Sequence, residues 1–147
     1  MNKKINFHFE TPDENLGYLL WQTTMQWQRQ MNRALDEVGL THTQFVILIA
    51  LAWLSCSSKN VTQKEIADHS KTDRMMVSKI LRTLQKNELI ERKEHETDTR
   101  AKCVFLTDKG AETLQRAIEI KTQANELFFS NLTDKKQFAE QLKRVIE

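Results

Sequence analysis

Only three glycines and one proline interrupt 147 residues, and that scarcity constrains the fold more than any other feature of the chain. Hairpin-rich sheets, collagen-like repeats and low-complexity tracts draw heavily on those two residues, which make up roughly 12% of an average protein. A mainly helical chain remains, and its helix starts are legible as capping boxes. In such a box a Thr side chain accepts the amide of the third helical residue, and a Glu or Gln at that residue reaches back to the cap. Thr11-Pro12-Asp13-Glu14, Thr41 with Gln44, and Thr62-Gln63-Lys64-Glu65 all have this form.

After the first box, Leu16, Leu20, Thr23, Trp27, Met31, Ala34 and Val38 recur at steps of three or four until Gly39. The spacing predicts one helix of about 25 residues opening at Thr11. Lys3, Lys4, Ile5, Phe7 and Phe9 before it show no period and read as an arm. The second box opens the uninterrupted apolar run from Phe45 to Leu54, which reads as a helix buried on nearly every side. The run is far short of the roughly 20 residues a membrane span needs, so no membrane partner is expected, and no secretory signal is visible. Two cysteines without CxxC spacing, Cys56 and Cys103, read as buried inert thiols and fit a reducing cytoplasm.

The third box opens a short helix carrying Ile66 and Ala67 up to His69 and Ser70, and Thr72 is the predicted cap of the next. There Val77, Leu81 and Leu84 share one face, while Arg74, Ser78, Arg82 and Lys86 fall mostly on another. From Lys71 to Lys86 five cations stand against a single acid, Asp73, although the whole chain is only +2. One basic segment on a near-neutral body is the footprint of a protein that meets nucleic acid at one place; a solvated helix face is the other reading. Leu89 to Lys93 and Lys102 to Leu106 are β-prone runs around a polar loop, Glu94 to Arg100, and read as a two-stranded ribbon. Thr107 is the predicted cap of a long helix carrying Leu114, Ala117, Leu127 and Phe128, and Thr133 that of a last one carrying Phe138, Leu142 and Val145.

This order is a mainly α winged helix-turn-helix with a two-stranded β-wing, its N- and C-terminal helices forming a dimerisation base. Residues 1–40 form the arm and long helix, 41–107 the DNA-binding lobe, and 108–147 the C-terminal dimerisation helices. In such folds the second motif helix enters the DNA major groove. No aromatic residue lies between Trp53 and Phe105, so nothing is present there to stack unpaired bases, and double-stranded DNA is favoured over single-stranded RNA.

The sequence resembles the MarR family of bacterial winged-helix transcriptional regulators from about Leu16 onward. Thr62 to Ala67 looks like the family's first motif helix, Met76 to Leu84 like its recognition helix, and Leu89-Ile90-Glu91-Arg92 like its first wing strand. The wing signature is the most specific part: Asp98-Thr99-Arg100, then Ala101-Lys102 and Leu106-Thr107-Asp108-Lys109-Gly110. The resemblance implies that Arg100 reaches the minor groove and that Asp98 holds the wing. It further implies a homodimeric regulator, most often a repressor, on a pseudo-palindromic operator, with release by a small-molecule effector. Where the family usually has a left-handed glycine after the recognition helix, this chain has Asn87-Glu88, and Asn87 is the expected substitute.

The expected DNA-contacting residues are Arg74, Met75, Ser78, Lys79 and Arg82 on the recognition helix, Thr62, Ser70, Lys71 and Thr72 at helix starts and in the turn, and Asp98, Arg100 and Lys102 on the wing. Cations neutralise phosphates or pair with guanine, and hydroxyls at helix starts suit phosphate; Thr62 and Thr72 are equally explained as caps. Lys86 reads as solvated. Tyr18, Trp21, Trp27, Phe45 and Trp53 cluster where the resembling family often has an effector pocket, but at helical spacing they read as core. His42 suits either a ligand contact or a plain surface. His8, His42, His69 and His95 are scattered, so no metal or other cofactor is expected, and no complete catalytic motif argues for an enzyme. The competing reading is a dimeric winged-helix module whose basic helix binds an acidic protein without specific DNA binding.

Overall fold

The computed structural model describes residues 4–98 and 100–147; Lys3 of the arm and Thr99 of the wing signature lie outside the described residues. Among the described residues six α-helices and one ribbon follow in order: α1 (Leu16–Leu35), α2 (His42–Ser55), α3 (Gln63–Ser70), α4 (Arg74–Lys86), β1 (Ile90–Glu94), β2 (Lys102–Leu106), α5 (Asp108–Phe128) and α6 (Lys135–Ile146). The strands pair antiparallel with Ile90 opposite Leu106 and Glu94 opposite Lys102. Ile47, Leu48 and Leu51 of α2 form the centre of one core with Ile66, Val77, Leu81, Leu84, Ile90 and Val104, closed from the α5 side by Leu114 and Ala117. The ribbon is tied in by Val104, whose N–H donates to the Val61 carbonyl at 2.8 Å.

The capping boxes at Thr41 and Thr62 form in full, and Thr107 caps α5 by accepting from the Gly110 amide at 2.9 Å. The box at Thr11 does not form. Pro12–Glu14 makes a single 3-10 turn, the Glu14 carboxylate accepts from Glu10 instead, and Asn15 caps α1 by accepting from Tyr18 at 2.9 Å. Asn15 takes extended backbone, which separates the turn from the helix, so α1 is shorter than the periodicity predicts. Its far end tightens into a 3-10 turn, Asp36–Val38, and stops at Gly39 with φ of 69°.

Two other caps lie one residue beyond their predicted places. Asp73, rather than Thr72, accepts from Met75 and Met76, and Asp134, rather than Thr133, accepts from Gln137. A carboxylate makes a charge-assisted bond and meets the positive end of the helix dipole, so it outcompetes a neighbouring hydroxyl. The left-handed residue after α4 is Glu88, with φ of 63°, and Asn87 stays right-handed. The Glu88 carbonyl accepts from the Thr107 hydroxyl at 2.6 Å, and the Leu89 N–H returns to Leu84 at 3.0 Å. These bonds to the α5 cap and to α4 itself hold a conformation that glutamate would not choose alone. They also use the Leu89 amide, so β1 starts one residue later than predicted.

The core reading of the aromatic cluster holds for Phe45 and partly for Trp27. Trp21 is 64% exposed, Trp53 69%, and Tyr18 is exposed as well; α2 is therefore open to solvent at its C-terminal end. Leu16, Leu19 and Leu20 of α1 are exposed beside Trp21, as are Leu142, Val145 and Ile146 of α6, a helix without a buried residue. Among the described residues no single helix is long and apolar enough to cross a membrane.

Candidate nucleic-acid interface

The buried seam of α4 forces its other face outward. Val77, Leu81 and Leu84 point into the core, which leaves Arg74, Met75, Lys79 and Arg82 exposed and Ser78 half-buried. Met75, Lys79, Arg82 and Lys86 are spaced by four, three and four, so they form one stripe opposite the seam. Ahead of α4 the chain reverses through Lys71, left-handed with φ of 55°, whose N–H closes α3. The turn therefore stands between two helices that share one core, and it presents an exposed lysine.

The hydroxyls there are already engaged. Ser70 donates to the Ile66 carbonyl at 2.7 Å, and Thr72 donates to the Ser70 carbonyl at 3.2 Å. Each proton is spent inside the turn. Thr62, half-buried at the start of α3, accepts from Glu65, and among the described residues its hydroxyl proton has no acceptor.

On the wing, the Asp98 carboxylate accepts the Arg100 amide at 3.0 Å, and the Asp98 carbonyl accepts that of Ala101. Arg100 and Lys102 are exposed. Two residues that sequence reasoning did not single out position this wing. Arg92 donates from Nε to Gln85 at 2.6 Å and from Nη1 to Gln63 at 3.3 Å, which clamps β1 to the last turn of α4 and the first turn of α3. His95 Nδ1 accepts the amides of Thr97 and Asp98, both at 3.2 Å. The His95 signal is local, a polar side chain two and three residues ahead of the amides it takes; the Arg92 contacts are tertiary and leave no trace in spacing. Met76, also unassigned from sequence, is 51% exposed.

Away from this face, His42 is half-buried rather than a free surface residue. Its ring sits edge-on to Trp27 at 4.7 Å, and its Nε2 accepts from the Lys121 ammonium at 2.9 Å. Burial, and then the Lys121 charge, lower the His42 pKa to about 4. Burial also lowers that of Lys121, whose Nζ stands 4.4 Å from the centre of the Phe45 ring. Trp27 Nε1 donates to Asn125 at 2.8 Å, so α1, α2 and α5 meet at this cluster. Cys103 is buried, its thiol pKa raised by burial and then by Glu65 and Glu96. Cys56 is exposed, contrary to expectation, because it follows the last turn of α2.

The model of the ArnR1-like winged-helix domain matches residues 36–123. The HTH-type transcriptional regulator YdcH of Bacillus subtilis (strain 168) is 37% identical over 139 residues, 95% of each chain. Among solved structures, the transcriptional repressor CouR bound to a 23-mer DNA duplex superposes with a TM-score of 0.78 at 26% identity, covering 91% of this chain and 92% of that one. A mutant of MarR from E. coli complexed with operator DNA gives 0.80 at 23% identity, covering 90% and 94%. The short capped helix, turn, basic helix and two-stranded wing thus stand in a known order, the fold is that of MarR, and the chain belongs to the ArnR1-like winged-helix family, with HTH-type transcriptional regulators among its relatives.

Proposed function

We propose that this regulator acts in the cytoplasm as a homodimeric repressor that binds a pseudo-palindromic double-stranded operator through α4 and the wing. The observation that carries the reading is the cationic stripe of Lys79, Arg82 and Lys86, exposed opposite a fully buried apolar seam. A rigid core behind a charged helix face is the arrangement that places side chains on base edges and phosphates. Arg74, Met75, Ser78, Lys79 and Arg82 would face the major groove. Lys71 and Thr62 would meet phosphate, with Ser70 and Thr72 shaping the turn through their internal bonds. Asp98 would hold Arg100 over the minor groove, with Lys102 beside the backbone.

The exposed apolar faces of α1 and α6 favour a second copy as their cover, with residues 1–40 and 108–147 as the dimer base and 41–107 as the reading lobe. A two-fold dimer sets its recognition helices about 34 Å apart, which requires two half-sites. Relief by a small-molecule effector belongs to the same proposal. The Lys121 cluster favours it: a half-buried ammonium joins α5 to α2, and among the described residues no carboxylate pairs with it. An anion bound there would gain a charge-assisted bond and shift one lobe against the base.

The test is binding to the DNA upstream of the protein's own gene beside a scrambled duplex, titrated over salt. Selective binding that weakens steeply with salt is expected. Arg82→Ala should cost about 1 to 3 kcal/mol, with relaxed specificity at one base pair if it reads a base. Arg100→Ala should weaken binding at sequences outside the α4 footprint. A stable dimer that ignores every duplex even at low salt, and is indifferent to both substitutions, would instead mark a protein-binding module.

A further inference from the structure

The stripe that α4 turns outward is cationic at Lys79, Arg82 and Lys86 but begins with an apolar residue. Met75 stands four residues before Lys79 and seven before Arg82 and is 81% exposed, so it heads the same line of side chains. Nothing in the α4 core needs it, because Val77, Leu81 and Leu84 supply the buried seam.

The backbone around it excludes the usual occupant of a helix start. The Asp73 carboxylate accepts from the amides of Met75 and Met76 at 2.9 and 3.1 Å. The donors that would cradle a phosphate are therefore used, and a phosphate brought to this end of α4 would meet a carboxylate. What this end still offers is a long, flexible and polarisable thioether arm. In a helix lying in the major groove, the first turn is the part nearest the base edges. The apolar group that groove displays is the C5 methyl of thymine.

We infer that Met75 reads thymine methyl groups, so that each operator half-site carries an A·T pair, with its thymine facing the first turn of α4. The inference rests on the DNA-reading assignment of α4 and names the chemistry of its first contact. Arg82 and Lys79, further along the stripe, would take guanine or phosphate.

Deoxyuridine differs from thymidine by that methyl alone, which makes the test direct. The full-length protein would select from a random duplex pool, and the enriched duplex would be resynthesised with each thymidine in turn replaced by deoxyuridine. At one or two positions per half-site, wild-type affinity is expected to fall about fourfold, the loss matching one buried methyl. Met75→Ala and the near-isosteric Met75→Gln should bind the parent duplex more weakly and show no further loss at those positions. If no sequence is enriched, the DNA-reading assignment falls and this inference with it. If a sequence is enriched but deoxyuridine is tolerated throughout, or costs both variants as much as the wild type, the methyl reading is wrong and the assignment of α4 stands.

Discussion

Gly110→Ala tests the junction on which the wing is built. Gly110 lies in the first turn of α5, and a Cβ there would stand 1.9 Å from the Leu89 carbonyl oxygen and 2.9 Å from its carbon. Ordinary contact begins at 3.4 Å, so backbone must retreat by the difference, and neither side is a flexible side-chain end. That retreat breaks the bond from the Thr107 amide to the Leu89 carbonyl, at 3.1 Å, and pulls the Thr107 hydroxyl from Glu88. Overpacking costs about 1–3 kcal/mol and two lost hydrogen bonds about 1 kcal/mol each, so a loss of about 3–5 kcal/mol is expected. Typical domains hold about 5–15 kcal/mol in total. Gly39→Ala is the internal control: its φ is 69° but nothing lies within 4 Å of the new Cβ, so strain alone costs about 1–2 kcal/mol. Urea unfolding at fixed protein concentration measures both, since association shifts apparent stability. The Gly110 variant should lose clearly more midpoint than the Gly39 variant; a loss no larger than that of Gly39→Ala would refute the close approach of α5 to Leu89.

Three further outcomes are expected. His42 has a folded pKa of about 4 against an ordinary value of 6.5, so its neutral form is the one the fold favours. That contribution is fully present above pH 6.5 and is lost as the pH falls toward 4. Unfolding midpoints of wild type and His42→Gln, followed from pH 8 to 4, should therefore converge at the acid end; a constant gap would sink the reading. Asp73→Asn keeps a capping side chain while removing the lone acid of the basic segment, so stability should change by only a few tenths of a kcal/mol, and duplex binding should tighten at low salt. Asp73→Ala, by contrast, should cost about 1 kcal/mol of stability. Trp21→Glu, on the exposed apolar face of α1, should shift the protein toward monomer in analytical ultracentrifugation; an unchanged dimer would place the interface elsewhere.

What could be read from the chain was what short-range chemistry decides. Thr41, Thr62 and Thr107 were identifiable as caps because each acts on an amide three residues away. The seam of Val77, Leu81 and Leu84, and with it the exposed cationic stripe, follows from helical period alone. Thr72 and Thr133 were misplaced by one residue because each is followed by an aspartate that caps equally well on paper. The carboxylate prevails only when the helix dipole is in place. The exposure of Arg74, Met75, Lys79 and Arg82 on α4 is therefore legible in the sequence, while the engagement of Ser70 and Thr72 inside the turn is not.

The sequence by itself determined the element order, the basic helix and the wing, since local hydrogen bonds and side-chain periodicity need no distant partner. Tertiary structure decided everything that joins residues far apart in the chain. Glu88 is left-handed because it is held by Thr107, the His42 amide in the first turn of α2 donates to the Asn32 side chain of α1, and Arg92 ties β1 to Gln85 and Gln63. Lys121 and His42 meet across 79 residues, and both lose proton affinity, by burial first and at His42 also by the Lys121 charge, only because α2 and α5 bury them together. Pairings of that kind carry no period along the chain; they exist once the core has brought the helices into contact.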